Sequence, residues 1–378
     1  MIDISASEQH LKHKVKTFEK MGCSTDAISF ADLFDHYHKA DFLYFEKFKL
    51  IKPHLAIIKH NWEAALKAGK KILWIVTAKK PGTETLIGSL AIWRSTLNGW
   101  FPQHLTSVNS AGGINTPAST CAMMLLIQIE AILRVYQSGQ NLFNPSKKYP
   151  TKVFKSIENT INPEYACVNE FNYLGVKPNS YQNHSKSVKI IKCSNSNRYE
   201  IYDFAAQIRG KVYAQAEELA EGDIELQELD DIYRQASLSR KRYIWMAFCS
   251  GRAEPAGAAI VYRGPFGFNF SLIENRCDFL INDRLDNDTA ECVCKALLTN
   301  AATAYFDSYF PLEYPVDFIP VVTDKKTAAI VKRVGAFFNI RKYNQTIWLR
   351  PGFYPWYQHV EKIYQKVLQR AKRNQCNE

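Results

Sequence analysis

The sequence predicts a mixed α/β fold built twice in one chain of 378 residues. The first observation is an internal repeat. From Lys71 the chain reads Ile72-Leu73-Trp74-Ile75-Val76, turns around Pro81-Gly82, and resumes with Leu86-Ile87-Gly88-Ser89-Leu90-Ala91-Ile92-Trp93-Arg94. From Arg242 it reads Tyr243-Ile244-Trp245-Met246-Ala247-Phe248, turns around Gly251 and Pro255, and resumes with Ala256-Gly257-Ala258-Ala259-Ile260-Val261-Tyr262-Arg263. The Trp-to-Arg spacing is 20 residues in the first copy and 18 in the second. A unit this large is too long for a solenoid and the right size for a duplicated domain. The second observation is the order of elements around each copy: helices, three meandering strands, helix, strand, helix, strand. Short strand connections imply antiparallel pairing, and a strand–helix–strand step implies a parallel crossover. Each half is therefore expected to be a mixed, mostly antiparallel sheet with helices on both faces, the halves spanning 1–194 and 195–378.

In order, Ser29 caps a helical run with Leu33, Phe34 and Tyr37, and Pro53 opens another through Trp62 and Leu66. Strands are expected near 71–77, 86–94 and 104–109, and Thr116-Pro117 starts a helix through Met123, Ile127 and Tyr136. After the loop 144–150 come a weak strand, a short helix closing at Gly175, and a strand at 188–191. The second half repeats this with helices at 201–221 and 224–237, and strands at 243–249, 256–263 and 268–276. A helix at 288–306, a strand at 316–319, a helix at 324–334 closing at Gly335, and a strand at 346–349 complete it. The last strand follows Gly335 by 11–14 residues, and its expected counterpart follows Gly175 by 13–16. A final helical stripe carries Val360, Tyr364 and Val367 inside, with Lys362, Lys366, Arg370, Lys372 and Arg373 outside, a face for solvent or an acidic partner.

An apolar content of 46% marks a globular chain. The longest apolar run, 121–133, is broken by Gln128 and Glu130, so no membrane span is expected. The start, Met1-Ile2-Asp3-Ile4, lacks a secretion signal, and nine scattered cysteines without a Cys-x-x-Cys pair suggest a reducing compartment. The protein reads as cytoplasmic. Asp35, His36, His38 and Asp41 diverge on a helix, so no metal set is expected, and no nucleophile elbow or phosphate-loop lysine motif is present.

The element order, together with Asp324-Lys325-Lys326-Thr327-Ala328-Ala329-Ile330-Val331-Lys332-Arg333-Val334-Gly335-Ala336-Phe337, resembles a tandem arrangement of the GNAT acyltransferase superfamily. That resemblance implies two GNAT-like domains. In each, the fourth strand splays from the fifth, and coenzyme A enters the opening with its pyrophosphate on a helix start. Helix starts offer unpaired N–H donors and a positive dipole end. In the first half the matching residues are Asn109, Ala111, Gly112, Gly113, Asn115 and Thr116, a small neutral segment suited to a phosphate. In the second half Asp283, Asp286, Asp288 and Glu291 stand there, and carboxylates repel a pyrophosphate.

Acyl transfer to an amine needs a base and an acid. The resemblance offers Glu274 as the base, since it is expected at the end of the fourth strand of the second half. The family's usual acid, a Tyr four residues before the closing glycine, is replaced by Val331 and Phe171, leaving Tyr173 as a substitute and Tyr262 as a hydrogen-bond donor. Three readings remain open. One is an N-acyltransferase using acyl-CoA or an acyl group on a carrier protein, with a small-molecule or peptide amine acceptor. Another is a degenerate module that binds a ligand or protein without turnover. The third is aminoacyl transfer from tRNA, which would draw on the formal charge of +11.

Overall fold

The computed structural model describes residues 4–80, 82–108, 116–134, 136–177, 187–307 and 313–375. The first half opens with helix α1 (Ile4–Lys20), the short strand β1 (Cys23–Ser24), and helices α2 (Phe30–Lys39), α3 (Phe45–Ile51) and α4 (Leu55–Ala68). Ser29 caps α2 by accepting the Asp32 N–H. Strands β2 (Leu73–Lys79), β3 (Leu86–Arg94) and β4 (Gly99–Ser107) follow as a meander, then α5 (Thr116–Leu133), β5 (Ser138–Phe143), α6 (Lys148–Lys155) and β6 (Ala166–Val176). The second structural unit starts ahead of the expected boundary at 194 and runs β7 (Val188–Lys192), α7 (Arg198–Arg209), α8 (Lys211–Ala216), α9 (Gln227–Arg234), β8 (Lys241–Cys249), β9 (Gly257–Arg263) and β10 (Cys277–Ile281). It ends with α10 (Asn287–Phe306), β11 (Ile319–Thr323), α11 (Lys325–Val334), β12 (Phe337–Leu349) and α12 (Phe353–Gln375).

All twelve strands join one sheet in the order β1-β2-β3-β4-β5-β12-β6-β11-β10-β9-β8-β7. The two halves are thus laid out alike, β1 to β5 answering β7 to β11, but their last strands are exchanged. β12 closes the first half against β5, and β6 closes the second against β11. β6 and β12 pair with each other along the middle. The chain is a mixed α/β fold, with parallel pairs only at β4–β5 and β10–β11 among the described strands.

Because helices cover both faces, strands β2, β3, β8 and β9 are buried along most of their length and alternate between two cores. Trp74, Val76, Leu90 and Ile92 meet α1, α5 and α12, whereas Leu73, Ile75, Ala91 and Trp93 meet α2 and α4 on the other face. In the second half α10 and α11 cover one face, and α7 and α8 the other. Among the described residues no helix is long and apolar enough to cross a membrane.

Several elements differ from expectation. Residues 268–276 form no strand: Gly267 and Leu272 take φ of 80° and 59°, which breaks an extended ladder, and the strand proper starts at Cys277. Gly175 closes no helix. It lies inside β6, paired on both sides, so the strand at 188–192 does not answer the terminal strand; it is the far edge, against β8. The loop after β5 leads into α6 instead of a strand, and β5 itself was hidden by its polar sequence Ser138-Gly139-Gln140-Asn141.

Candidate functional site

The parallel pairs mark two openings. β4 and β5 pair only at Gly99–Ser138 and Trp100–Gly139, yet β4 continues to Ser107 and β5 to Phe143. β10 and β11 pair only at Cys277–Val321 and Asp278–Val322 before the register ends. Ligands of open α/β sheets favour the carboxyl ends of parallel strands, which is where both openings face.

The second opening carries a cleft of about 470 Å³ lined by Gln207, Ile208, Ile281, Asp283, Arg284, Asp324, Lys326 and Thr327. Its two helix starts are already satisfied. Asp286 accepts the N–H and hydroxyl of Thr289 at 2.8 Å each. Asp324 accepts the N–H and hydroxyl of Thr327 at 2.9 and 2.7 Å. Lys326 donates to the Asp283 carbonyl. Each cap brings a negative charge to the positive dipole end, so these residues do not fit a diphosphate.

The first opening is built differently. Asn109, Ala111, Gly112, Gly113 and Asn115 lie outside the described residues, and Thr116 opens α5. Beneath α5 the base of the opening is closed by Trp100, Ile127, Tyr136 and Trp348 around a void of about 10 Å³. On the other face β4 bulges at His104, whose φ is 55°. The His104 ring is buried against Trp62, Tyr37, Phe42 and Phe270. Its Nε2 accepts the Phe270 N–H at 3.4 Å, which leaves the proton on Nδ1, a buried atom without a partner. Burial first, and then the charge of Lys47, holds the ring neutral. His36, also held neutral by burial with its pKa lowered to about 4, bonds Thr106 at 2.9 Å on the same strand.

The rim of this opening is cationic. Lys47 from α3 lies 3.6 Å from the Phe42 ring centre, Arg341 from β12 lies 4.8 Å from the Tyr44 ring centre, and Lys147 precedes α6. Lys147 occupies the N-cap position that Asp324 holds in the second half. Sequence reasoning missed His104 and this rim. His104 follows Gln103 directly after the apolar run Trp100-Phe101-Pro102, a signal that was readable; the cations come from distant segments, a convergence no spacing reveals.

The residues proposed for proton transfer are all enclosed. Glu274 sits in a turn before β10 and accepts the N–H groups of Gly267 at 2.7 Å and Asn269 at 3.2 Å; burial raises its pKa to about 7. Tyr173, in β6, donates to the Ser271 carbonyl at 2.5 Å. Tyr262 donates to Glu217 at 2.6 Å. Glu217 also pairs with Arg276 at 2.6 Å and accepts from Gln140 at 2.9 Å, while Arg276 reaches Asp278, which accepts from Tyr213 at 2.6 Å. Tyr262 therefore belongs to a buried charge network joining the halves, apart from Glu274. The loop that Glu274 holds does reach the first opening: its Phe268 carbonyl accepts from Gln103 at 2.6 Å, and Asn61 and Trp62 of α4 bond Phe266 and Gly267. Among the described residues no group of three or more His, Cys, Asp or Glu could hold a metal ion.

No protein-family model and no curated protein sequence matches the chain. Among solved structures it is similar to a tandem GNAT protein from the clavulanic acid biosynthesis pathway, solved without AcCoA. The identity is 10% and the TM-score 0.37, over 77% of this chain and 88% of that one. It is also similar to a putative acetyltransferase from Pyrococcus horikoshii, at 10% identity and TM-score 0.43 over 87% and 89%. A GCN5-related N-acetyltransferase from Kribbella flavida matches at 11% identity and TM-score 0.37 over 70% and 87%.

Proposed function

We propose that the chain is an N-acyltransferase that takes an acyl group from CoA, or from a carrier-bound thioester, at the first opening and passes it to an amine. The observation that carries this reading is the parting of β4 from β5 ahead of α5, with a cationic rim where the second opening has carboxylate caps. On this reading Asn109, Ala111, Gly112, Gly113, Asn115 and Thr116 would hold the diphosphate, and the donor would supply the activated acyl group. The Nδ1–H of His104 is a buried donor suited to polarise a carbonyl oxygen. Glu274 would position the 267–270 loop against β4, and Tyr262 and Tyr173 would hold the seam between halves. The exposed Lys362, Lys366, Arg370 and Arg373 of α12 form the face proposed for an acidic partner.

The test is a thermal-shift series with CoA, acetyl-CoA and medium- and long-chain acyl-CoA, repeated on Gly112→Asp. A ligand that binds the native state raises the melting temperature by mass action. The expected outcome is a rise with acyl-CoA that the variant abolishes; a flat response throughout would sink the reading. A module that binds without turnover is the second reading. It is favoured by the engagement of Glu274, Tyr262 and Tyr173 in internal hydrogen bonds. Ligand stabilisation without release of free CoA thiol in the presence of amines would select it.

A further inference from the structure

We propose that Lys47 and Arg341 form an anion subsite on the α2–α4 side of the first opening, and that the acceptor amine carries a carboxylate or phosphate group. The proposal rests on the acyl-transfer reading of that opening. Lys47 and Arg341 both sit on the Tyr44 ring, at 5.0 and 4.8 Å from its centre. Among the described residues no carboxylate pairs with either of them or with Lys147; Glu46, exposed on α3, makes no ion pair with them. Elsewhere the buried Arg276 is met by Glu217 and Asp278, and the buried Arg240 and Arg242 donate to backbone carbonyls. Like charges gathered without a counter-ion disfavour one another, and Lys47 feels Arg341 and Lys147 in addition to its burial. A bound anion removes that cost.

Position selects the acceptor over the donor. The donor's diphosphate is assigned to the start of α5, and α5 packs on the opposite face of the sheet from α2 and α4. Arg341 lies three residues before Asn344, the partner of Phe143 at the end of β5, so it stands beyond that strand's carboxyl end. Lys47 shares the Phe42 ring with the bulged His104 of β4. The cations therefore bracket the mouth of the opening from the side that the donor leaves free, and an acid group on the incoming amine would meet them.

The experiment is isothermal titration of the full chain with inorganic phosphate and with succinate at constant ionic strength, below pH 7. Lys47→Gln, Arg341→Gln and Lys189→Gln, exposed on the far-edge strand β7, are compared with the wild type. The expected result is saturable binding that falls about ten-fold or more in each of the first two variants, the loss of one charge-assisted contact, and is unchanged in the third. Both anions are compared to separate a carboxylate from a phosphate preference. Absence of saturable binding, or equal affinity in all variants, overturns the subsite. Competition by CoA for the bound phosphate overturns the acceptor assignment, since the cations would then serve the donor. If acyl-CoA stabilises the protein but glutamate, O-phosphoserine and ethanolamine are acylated equally, the inference fails while the acyl-transfer reading stands. A flat acyl-CoA response with anion binding intact removes that reading, and with it the acceptor assignment.

Discussion

A carboxyl group at full burial needs donors for both oxygens, and Glu274 obtains them from two backbone N–H groups of its own loop. Burial outweighs those bonds and lifts the pKa from 4.5 to about 7, so the folded protein binds this proton more tightly than the unfolded chain. The stability it contributes is fully present below pH 4.5, falls as pH rises through the interval to 7, and is constant above. Glu274→Gln removes that pH-dependent component. It also turns a side-chain N–H toward a backbone N–H, at a cost of about 1–3 kcal/mol. Urea unfolding of both proteins on either side of the interval checks this; an unchanged pH slope in the variant would refute the assignment. Lys47 titrates with the opposite charge. Burial first, then Arg341 and Lys147, lower its pKa to about 7, so anion affinity should decline as pH rises through that value. The charged and titratable groups around it are Tyr44, itself beside Glu46 and Tyr343, and His104, Arg341 and Lys147. Sulfate, whose own charge is constant there, is the probe, and Lys47→Gln should give a flat profile.

The exchanged strands meet their hosts at glycines. Gly139 of β5 lies opposite Trp348 of β12, and a Cβ there would fall 2.6 Å from the indole, which is buried and cannot retreat. Gly175 of β6 lies opposite Phe338, whose ring is 42% exposed and free to swing away although a Cβ would fall 2.2 Å from it. Gly139→Ala should therefore destabilise by about 1–3 kcal/mol, the usual range for overpacking, and Gly175→Ala by far less. Denaturant midpoints of the two variants decide; equal losses would contradict the difference in burial. The same elements explain what could be read from the sequence. Strands β2, β3, β8 and β9 are buried on both faces, so their apolar runs and their repeat were plain. β5 was not, because Gln140 is a buried polar residue that bonds Glu217 and Gln345. The 266–272 loop imitated a strand because Phe266, Phe268 and Phe270 fill an aromatic core against Trp62. The first opening's loop was legible as a composition, whereas its rim depends on β12, a strand the sequence placed in the other half.

At the scale of the molecule, the exchange makes each half's sheet depend on the other. Residues 1–194 alone would leave β5 without β12 and β6 and β7 without their neighbours; residues 195–378 alone would leave β12, β11 and β8 bare. Bare strand edges invite pairing with other chains. Expressed separately, each fragment should fail to give a cooperative unfolding transition and should aggregate, while co-expression should restore a soluble complex. Circular dichroism and size-exclusion chromatography test this; two independently folded, monomeric fragments would contradict it. The buried network of Glu217, Arg276, Asp278, Tyr262 and Gln140 adds to the coupling, since removing one member leaves charges uncompensated.

The place of β12 also orders events during synthesis. A ribosome makes the chain from its amino end at about 5–20 residues per second, and domains ordinarily fold as they emerge. Here the strand that seals the first opening begins only at Phe337. The nascent amino-terminal half must wait with the β5 edge bare until β12 has been made, and its candidate acyl site is completed by a strand translated long after it. A stop codon anywhere upstream of β12 would leave an edge prone to aggregation in place of a smaller working protein.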